Sequence, residues 1–391
     1  MNYKEKFAKL GVMVPHIYLP NASVDYSKYA VLACDQYAAQ PDYWERVRKN
    51  VGFAPSTLHM TLPEAWLLAG DRDYKSRNDA MERYLADGTL SDIGEAMVFN
   101  HRETPDGMRH GLIAAFDLEE YEYQPGGENL IKVTEHTDLS RVVPRVEIRR
   151  NAALELPHVL MLIVDKEDKL MKMLDREYEN MEPLYDFDLM ENGGHLSGKK
   201  IDQPELLKKI ADTMEEIFIE NESRFSFAIG DGNHSFASAK FYWEELKKTL
   251  SPEERKNHPA RYCLAEIINL YDPAMPYECM NRLLSGVADP EKALSEMGLS
   301  LSDLPSLQKL QPILDAWLKK HPEASLEYIH DADTCEELGK KGGCLAFVYR
   351  SFDRDSVYEM IQKNDVFVRK SFAMGHPYEK LYYLEARKIV R

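Results

Sequence analysis

Apolar residues recur at intervals of three and four in several segments, which is the spacing of an amphipathic helix. The clearest cases are residues 74–86, 205–222 and 236–250. A further helix is predicted to begin at about Pro41, because proline suits the first helical turn and pushes the residue before it out of the helical region. Each of the three periodic segments is predicted to present one apolar stripe.

Short apolar runs bounded by turn residues predict strands. LPHVLMLIVD (156–165) is a continuous apolar run that ends in aspartate, as a buried central strand does. Residues 225–230 and 263–271 have the same character. Residues 111–121 and 129–136 are predicted to be two strands joined across the turn QPGGE.

The last ninety residues alternate between strand-like and helix-like segments, in the order SLEYIH, CEELGK, CLAFVYR, DSVYEMIQ and VFVRKS. Alternation at this spacing predicts mixed α/β layering. We therefore expect an α/β protein in three parts. These are an N-terminal α/β region (1–150), a core that carries the motif discussed below (151–295) and a C-terminal α/β region packed on that core (296–391).

Composition narrows the class of protein. The chain has 391 residues and a net charge of -17, and such an acidic excess repels polyanions and opposes nucleic acid as the main partner. No apolar stretch reaches 18 residues, and the first residues are too polar for a signal peptide. The five cysteines never occur as C-x-x-C, which is typical of a reducing compartment. We expect a cytoplasmic protein with no membrane partner, and a homodimer is compatible with the sequence.

The segment IGDGNHSFASAK (229–240) lies between a predicted strand and a predicted helix that begins near His234 or Ser235. Free N–H groups at a helix start, approached through glycines, form a common phosphate site. Asp231 would serve such a site by binding a metal or by taking a proton from a hydroxyl. His234 would donate to phosphate or act as acid or base. An ordinary turn with an N-cap at Asn233 or Ser235 fits the same residues equally well.

GDGNHSFASAK resembles the DGHHR signature of the family called domain of unknown function 1015. Other segments are similar to that family in the same order. They are TEHT…RVVPRVEIRR (134–150), LPHVLMLIVD, NLYDPAMPYECMNRLL (269–284) and VRKSFAMGHPYEKLYYLEARK (368–388). The resemblance implies a core of the ParB/sulfiredoxin fold, in which relatives bind nucleotides and some phosphorylate free serine. Asn233, Ser235 and Asn281 stand where the family has histidine, arginine and histidine, which is typical of a variant branch.

The matched segments supply cations that would neutralise phosphate charge, namely Arg145, Arg149, Arg282, Lys370 and Lys380. A solvated surface charge is the usual fate of such residues. Arg282 and Lys370 are favoured, because predicted strand ends and family motif coincide there, and both are expected to point into the cleft of Asp231 and His234.

Further acid–base candidates lie elsewhere in the chain. Glu135 and His136 end a predicted strand, where adjacent residues face opposite ways, so at most one is catalytic and His136 is preferred. Asp35 matches the family's Tyr-Asp turn and is a candidate metal ligand or base. His158, inside an apolar run, is interpreted as a core histidine, and His195 as part of a surface loop.

The leading hypothesis is a cytoplasmic enzyme that uses ATP or ADP with Mg²⁺ to phosphorylate a small hydroxylated metabolite such as a free amino acid. Gly230, Gly232, Asn233, Ser235, Arg145 and Lys380 would join the phosphate site. Asp231 and Asp35 would hold metal. A sensor or adaptor that has lost the chemistry is the alternative, supported by Ser235 in place of arginine. A ParB-like nucleic-acid-associated protein is the third hypothesis.

Overall fold

The computed structural model describes residues 2–38, 40–222 and 225–390 and leaves the side chain of residue 140 undescribed. These residues form the mixed α/β protein that the sequence predicts. Fourteen α-helices lie within them: α1 Tyr3–Lys9, α2 Tyr26–Tyr29, α3 Pro41–Val51, α4 Glu64–Leu68, α5 Tyr74–Ala86, α6 Leu139–Arg150, α7 Lys169–Glu177, α8 Pro204–Glu220, α9 Asn233–Leu246, α10 Pro252–Lys256, α11 Pro290–Met297, α12 Leu307–Leu318, α13 Ala332–Gly339 and α14 Asp355–Gln362.

Twenty strands lie within the same described residues: β1 Val12–Met13, β2 His16–Pro20, β3 Val31–Leu32, β4 Leu90–Glu95, β5 Met97–Thr104, β6 Gly107–Asp117, β7 Ile131–Lys132, β8 Leu154–Glu155, β9 Leu160–Ile163, β10 Glu182–Asp188, β11 His195–Ile201, β12 Phe227–Asp231, β13 Tyr262–Asn269, β14 Tyr277–Cys279, β15 Asn281–Ser285, β16 Ser325–Ile329, β17 Cys344–Phe347, β18 Phe372–Met374, β19 Tyr382–Tyr383 and β20 Arg387–Lys388.

The chain forms two compact units. The first comprises residues 1–275 together with 376–391, and the second comprises residues 276–375. The sequence placed boundaries at residues 150 and 295. The compact units divide instead at 275/276 and 375/376, because strands from both sides of residue 150 share one sheet and the segment 376–391 pairs with strands of the first unit.

The first unit is built around a nine-stranded mixed sheet in the order β10-β11-β5-β6-β13-β9-β12-β7, with β1 paired beside β6. Strand β9 is parallel to β13 and antiparallel to β12. Its four residues are fully buried, as the apolar run predicts. The antiparallel pairing places the start of β9 beside the end of β12.

A second strand pair brings distant residues to one place. Strand β3 pairs antiparallel with β19, with Val31 opposite Tyr383. The backbone N–H of Ala33 donates to the carbonyl of Leu381 at 2.8 Å, which extends the pairing toward Cys34 and Asp35. The N-terminal turn after β3 is thereby held against the segment 380–383.

The second unit has its own core. Strand β15 lies between β16 and β17 in an antiparallel sheet. Leu284, Leu310, Leu314 and Phe347 pack together and are 5% exposed or less. This unit holds two of the predicted phosphate-binding residues, Arg282 and Lys370.

Three local predictions are wrong. The segment 129–136 keeps only the short strand β7, which pairs with β12 and not with β6, so QPGGE does not close a hairpin. The segment VFVRKS (366–371) is not a strand. Residues 139–150, for which the sequence predicted no helix, form helix α6, because Val142 and Val146 bury at a spacing of four.

Candidate functional site

The predicted order of strand, loop and helix around Asp231 is confirmed, because β12 ends at Asp231 and α9 begins at Asn233. Gly230 is the extra residue of a β-bulge between β12 and β9, a device that redirects a side chain at the end of a strand. Gly232 has a φ of +84°, and a Cβ there would lie 2.6 Å from the carbonyl oxygen of His158. The loop therefore requires glycine at position 232.

The N-terminus of α9 has no side-chain cap among the described residues. The first intrahelical bond runs from the N–H of Phe236 to the carbonyl of Gly232 at 3.0 Å. The N–H groups that precede Phe236 in the helix, those of Asn233, His234 and Ser235, have no acceptor within the helix, and the positive end of the helix dipole lies with them. Such a helix end attracts anions.

Asp231 forms an ion pair with Lys380, with 2.7 Å between Oδ2 and Nζ. The Lys380 side chain is only 11% exposed, whereas that of Asp231 is 32% exposed. The other carboxylate oxygen, Oδ1, accepts the N–H of Gly232 at 2.9 Å. The aspartate is thus fixed in orientation and still reaches solvent.

Asp35 and His158 form a second pair beside the first. The Oδ1 atom of Asp35 lies 3.5 Å from Nε2 of His158 and accepts from the amide of Gln36 at 3.0 Å. Burial raises the pKa of Asp35, but the charges of His158 and Lys380 and these hydrogen bonds outweigh burial and hold the pKa well below its usual range. Lys380 thus acts electrostatically on both carboxylates.

His158 joins this pair to two more groups. Burial lowers the pKa of its imidazole, but Asp35 outweighs burial and raises it well above the usual value. Nδ1 of His158 contacts the hydroxyl of Tyr383 closely, and that hydroxyl donates to Sγ of Cys34 at 3.1 Å. Asp35, His158, Tyr383 and Cys34 therefore form one continuous polar cluster.

A cavity of about 140 Å³ lies against this cluster and against the first turn of α9. Its lining includes Cys34, His158, Tyr383 and Ser235. Arg145 and Arg149, four residues apart on α6, also line it, together with apolar residues of the N-terminal region. We call it the α9 cavity.

Both cavity arginines have partners. Arg145 pairs with Glu64, with 3.2 Å between Nη2 and Oε2. Arg149 pairs closely with Glu155, which also accepts from Nε of Arg387 at 2.7 Å. Burial raises the pKa of Glu155, but these two arginines outweigh burial and lower it. Both arginines, which the sequence offered as phosphate-neutralising cations, are therefore fixed by carboxylate partners.

The remaining predicted residues of the loop have local contacts. Nε2 of His234 accepts the backbone N–H of Asp138 at 3.2 Å, which ties the loop to the segment before α6. Asn233 is 8% exposed and donates to Oγ1 of Thr134 at 3.4 Å. His136 is exposed and lies four residues beyond the end of β7.

Arg282 does not point into an open cleft. It is fully buried in the second unit. Its guanidinium donates to the carbonyls of Lys370 at 2.8 Å and Arg369 at 3.0 Å and to Gln311 at 3.0 Å. These oxygen acceptors satisfy the hydrogen-bond donors of the guanidinium, which explains why its charge can be buried there. Lys370 is exposed, and its φ of +55° belongs to the turn whose carbonyl Arg282 holds.

Sequence reasoning missed three members of the polar cluster. His158 precedes β9 and does not lie inside it, so it faces the cluster and not the apolar core of the sheet. Tyr383 was not a candidate, and Cys34 was considered only as one of five cysteines. The signal that could have identified them is the proximity of Cys34 to Asp35 in ACDQY together with a histidine at the start of a buried run.

The chain was compared with known protein families and with curated proteins. The family described as protein of unknown function (DUF1015) matches residues 18–365. No curated protein matches the chain. Among the described residues, no helix combines the length and the apolar character needed to cross a bilayer. The cytoplasmic location and the homodimer stay predictions.

Several solved structures are similar to the chain. A free serine kinase (E30A mutant) in complex with AMP has 10% identity and a TM-score of 0.40, over 71% of this chain and 92% of that chain. The same mutant in complex with ADP has 10% identity and a TM-score of 0.39 over the same shares. A conserved hypothetical protein from Pyrococcus furiosus has 12% identity and a TM-score of 0.35, over 69% and 96%. Similarity at this level decides neither ligand nor reaction, and the ParB/sulfiredoxin relation stays a prediction.

Proposed function

The chain belongs to this family of unknown function, and from its own geometry we propose that it transfers a phosphoryl group from a nucleotide, ATP or ADP, to the hydroxyl of a small metabolite such as a free amino acid. The observation that carries the proposal is the Asp231–Lys380 ion pair, held at 2.7 Å beside the uncapped start of α9. It places a fixed carboxylate and a fixed cation beside the backbone N–H groups at the start of one helix.

Phosphoryl transfer depends on positioning and on neutralising charge more than on covalent chemistry. The N–H groups of Asn233, His234 and Ser235 would hold phosphate oxygens at the positive end of α9. Lys380 would neutralise charge as the phosphoryl group moves. His234 would keep the loop in position through its bond to the N–H of Asp138.

The α9 cavity favours a small acceptor. Its volume of about 140 Å³ is below the roughly 300–1,000 Å³ of pockets that enclose drug-sized ligands. A metabolite fits such a volume and a whole nucleotide does not, so the nucleotide would bind outside the cavity with only its phosphates at the loop. Arg145 would attract an acidic group of the metabolite.

Asp231 and Asp35 suit a magnesium ion that is carried by the nucleotide. Mg²⁺ is commonly held by one or two carboxylates together with substrate phosphates and waters. The Oδ1 atom of Asp231 and the carboxylate of Asp35 are the oxygens that would hold it. The ion would supply charge neutralisation at the phosphates.

The transfer conserves atoms and charge. The acceptor oxygen forms a bond to the terminal phosphorus, the bond from that phosphorus to the bridging oxygen breaks, and the nucleotide leaves with one phosphate fewer. The acceptor proton passes to the carboxylate of Asp231. The proton on His158 stabilises the negative charge of Asp35 throughout.

The test is a nucleotide-consumption assay over a panel of small hydroxylated metabolites, with ATP and ADP as donors. Asp231→Asn keeps the size of the side chain and removes its charge, so turnover should fall by at least about a hundredfold, as for loss of an acid–base group. Lys380→Met should also weaken nucleotide binding, because its contact exists before the transfer.

Asp79→Asn is the matched control. Asp79 pairs with Lys75 at 2.5 Å on the exposed face of α5, so the same chemical change is made away from the loop and turnover should stay unchanged. Thermal shift measures nucleotide binding, since ligand at a hundred times its Kd stabilises by about 2.7 kcal/mol. A wild-type protein that binds nucleotide without consuming it across the panel would favour a sensor. One that does neither would overturn the proposal.

A further inference from the structure

Two histidines and an aspartate of the first unit converge at a place that the proposed phosphoryl site does not use. His101 on β5 and His110 on β6 are opposite each other in the antiparallel pair. Asp175 lies in the last turn of α7. One ligand atom from each of the three lies within 4.8 Å of the others.

The two imidazoles approach the same carboxylate oxygen. Oδ1 of Asp175 lies 3.1 Å from Nε2 of His101 and 3.7 Å from Nε2 of His110. Although buried, Nε2 of His101 makes no hydrogen bond of normal geometry with any described residue. One ion pair would need only one imidazole, so the second imidazole and the missing hydrogen bond call for another explanation.

Aromatic rings hold both imidazoles in place. The ring of His101 stacks on Tyr178 with centroids 3.8 Å apart and planes 8° apart. The ring of His110 is parallel to that of Phe99 within 9°, at 5.8 Å. Ligands fixed by packing lose little freedom on binding a metal, which favours affinity.

We propose that His101, His110 and Asp175 bind a divalent transition metal ion of the zinc type. Zinc bonds of about 2.0–2.2 Å in a tetrahedron place ligand atoms about 3.4 Å apart, close to the 3.1 and 3.7 Å measured here. Three protein ligands leave the fourth position to water. The exposed fraction of the Asp175 side chain, 52%, gives the ion a route from solvent.

A second histidine–carboxylate group shows what an ion pair without a metal looks like. His195 has Asp188 at 2.8 Å from Nδ1 and Asp186 at 2.8 Å from Nε2. The two carboxylates lie on opposite nitrogens of one ring, so no single ion can bind both and the histidine together. His195 is therefore the matched control for His101 and His110.

The experiment titrates the full-length protein, freed of metal by a chelator, with Zn²⁺ in competition with a chromogenic zinc chelator. We expect one Zn²⁺ per chain in this site. Asp175→Asn should weaken zinc binding by at least about a hundredfold, since loss of a ligand should cost more than the 10- to 100-fold typical of losing a residue behind a ligand. His110→Ala should do the same.

His195→Ala should leave zinc affinity unchanged. Circular dichroism checks that the Asp175→Asn variant is folded, as expected for a change at an exposed position. Co²⁺ bound to the wild type should give the intense visible absorption of a tetrahedral site, and this absorption should be lost in Asp175→Asn. Failure of the wild type to compete for Zn²⁺, or equal affinity in wild type and Asp175→Asn, would overturn the proposal. Neither result depends on nucleotide turnover, so the phosphoryl-transfer proposal is tested separately.

Discussion

Glu385 is a buried carboxyl group without a cationic partner among the described residues. It is 3% exposed and accepts a hydrogen bond from the hydroxyl of Tyr185 at 2.5 Å. Burial raises its pKa from 4.5 to about 7, and Glu266 contributes in the same direction. Between pH 4.5 and about 7, the carboxyl group of Glu385 therefore keeps its proton in the folded protein, whereas the unfolded chain has released it.

Removing this titration should change how stability depends on pH. Since the folded state holds the extra proton, stability should fall by about 3 kcal/mol as pH rises from the unfolded value of 4.5 to about 7 and stay lowered above it. Glu385→Gln keeps an acceptor for Tyr185 and should flatten this part of the profile, leaving the variant more stable than the wild type at pH 8. Urea unfolding at pH 5 and pH 8 measures the difference.

The control for Glu385 is Glu82→Gln, on the exposed face of α5, which should leave the profile as in the wild type. A Glu385→Gln variant with the same pH dependence as the wild type would mean that the buried carboxyl does not titrate in this range.

At the residue scale the sequence identified types of residue better than their partners. Asp231 and Lys380 were both candidates, but nothing local indicates that residues 149 positions apart form an ion pair. Arg282 was favoured because a predicted strand end and the family motif coincide there, yet its guanidinium donates to backbone carbonyls of its own unit. Side-chain chemistry can be assigned from sequence, whereas burial and pairing depend on tertiary structure.

At the element scale, Gly232 joins β12 to α9 and also packs against the residues that precede β9. Gly232→Ala combines a positive φ with a contact of 2.6 Å to the carbonyl oxygen of His158. A strained backbone alone costs about 1–3 kcal/mol. We expect a larger loss of stability here, together with displacement of Asp231 and loss of nucleotide binding.

Gly94→Ala separates the two effects. Gly94 has a φ of +88°, and a Cβ there would meet no atom within 4 Å, so this variant carries the backbone strain alone. Urea unfolding of both variants gives the added cost of the contact as a difference. Equal losses in the two variants would show that the loop moves away from His158 without cost.

Prediction of helices and strands succeeded where apolar residues kept a regular spacing over a long segment, and it failed where the regular spacing was brief. Helix α5 has the predicted bounds, and α8 and α9 lie within a few residues of theirs. Helix α6 was missed because several β-branched residues resemble a strand and because Pro144 lies inside the helix, where proline removes a backbone hydrogen bond and is disfavoured. The segment VFVRKS has the composition of a strand, but two of its backbone carbonyls, those of Arg369 and Lys370, accept hydrogen bonds from Arg282.

At the scale of the molecule, the segment 376–391 follows the second unit along the chain and completes the first unit. It supplies Lys380 to Asp231, Tyr383 to β3 and Arg387 to Glu155. Deleting residues 376–391 removes these three contacts. Glu155 would stay buried, and of its two arginine partners only Arg149 would remain. Breaking one buried pair costs about 3–5 kcal/mol, so we expect the first unit to lose cooperative unfolding.

Deleting residues 390–391 is the control, since it retains Ile389, which is fully buried and donates to the carbonyl of Ala153. Near-ultraviolet circular dichroism and limited proteolysis measure packing in both proteins. A 376–391 deletion that unfolds as sharply as the control would show that the segment is dispensable for the first unit.

The three-part division drawn from the sequence followed changes of local pattern along the chain. Such changes locate turns, but the assignment of strands to sheets depends on contacts between segments far apart, such as β3 and β19. When a chain leaves a unit and later returns to it, no local sequence pattern indicates where it returns.

This return sets an order of events during protein synthesis. The ribosome makes all 100 residues of the second unit, 276–375, before the partner of β3 emerges. At 5–20 residues per second this is a delay of about 5–20 s. During that time Val31 and Leu32 lack the strand that pairs with them, and such exposed edges bind chaperones or other nascent chains. The nucleotide binding that we propose for the loop should therefore begin only after residues 380–383 have left the ribosome.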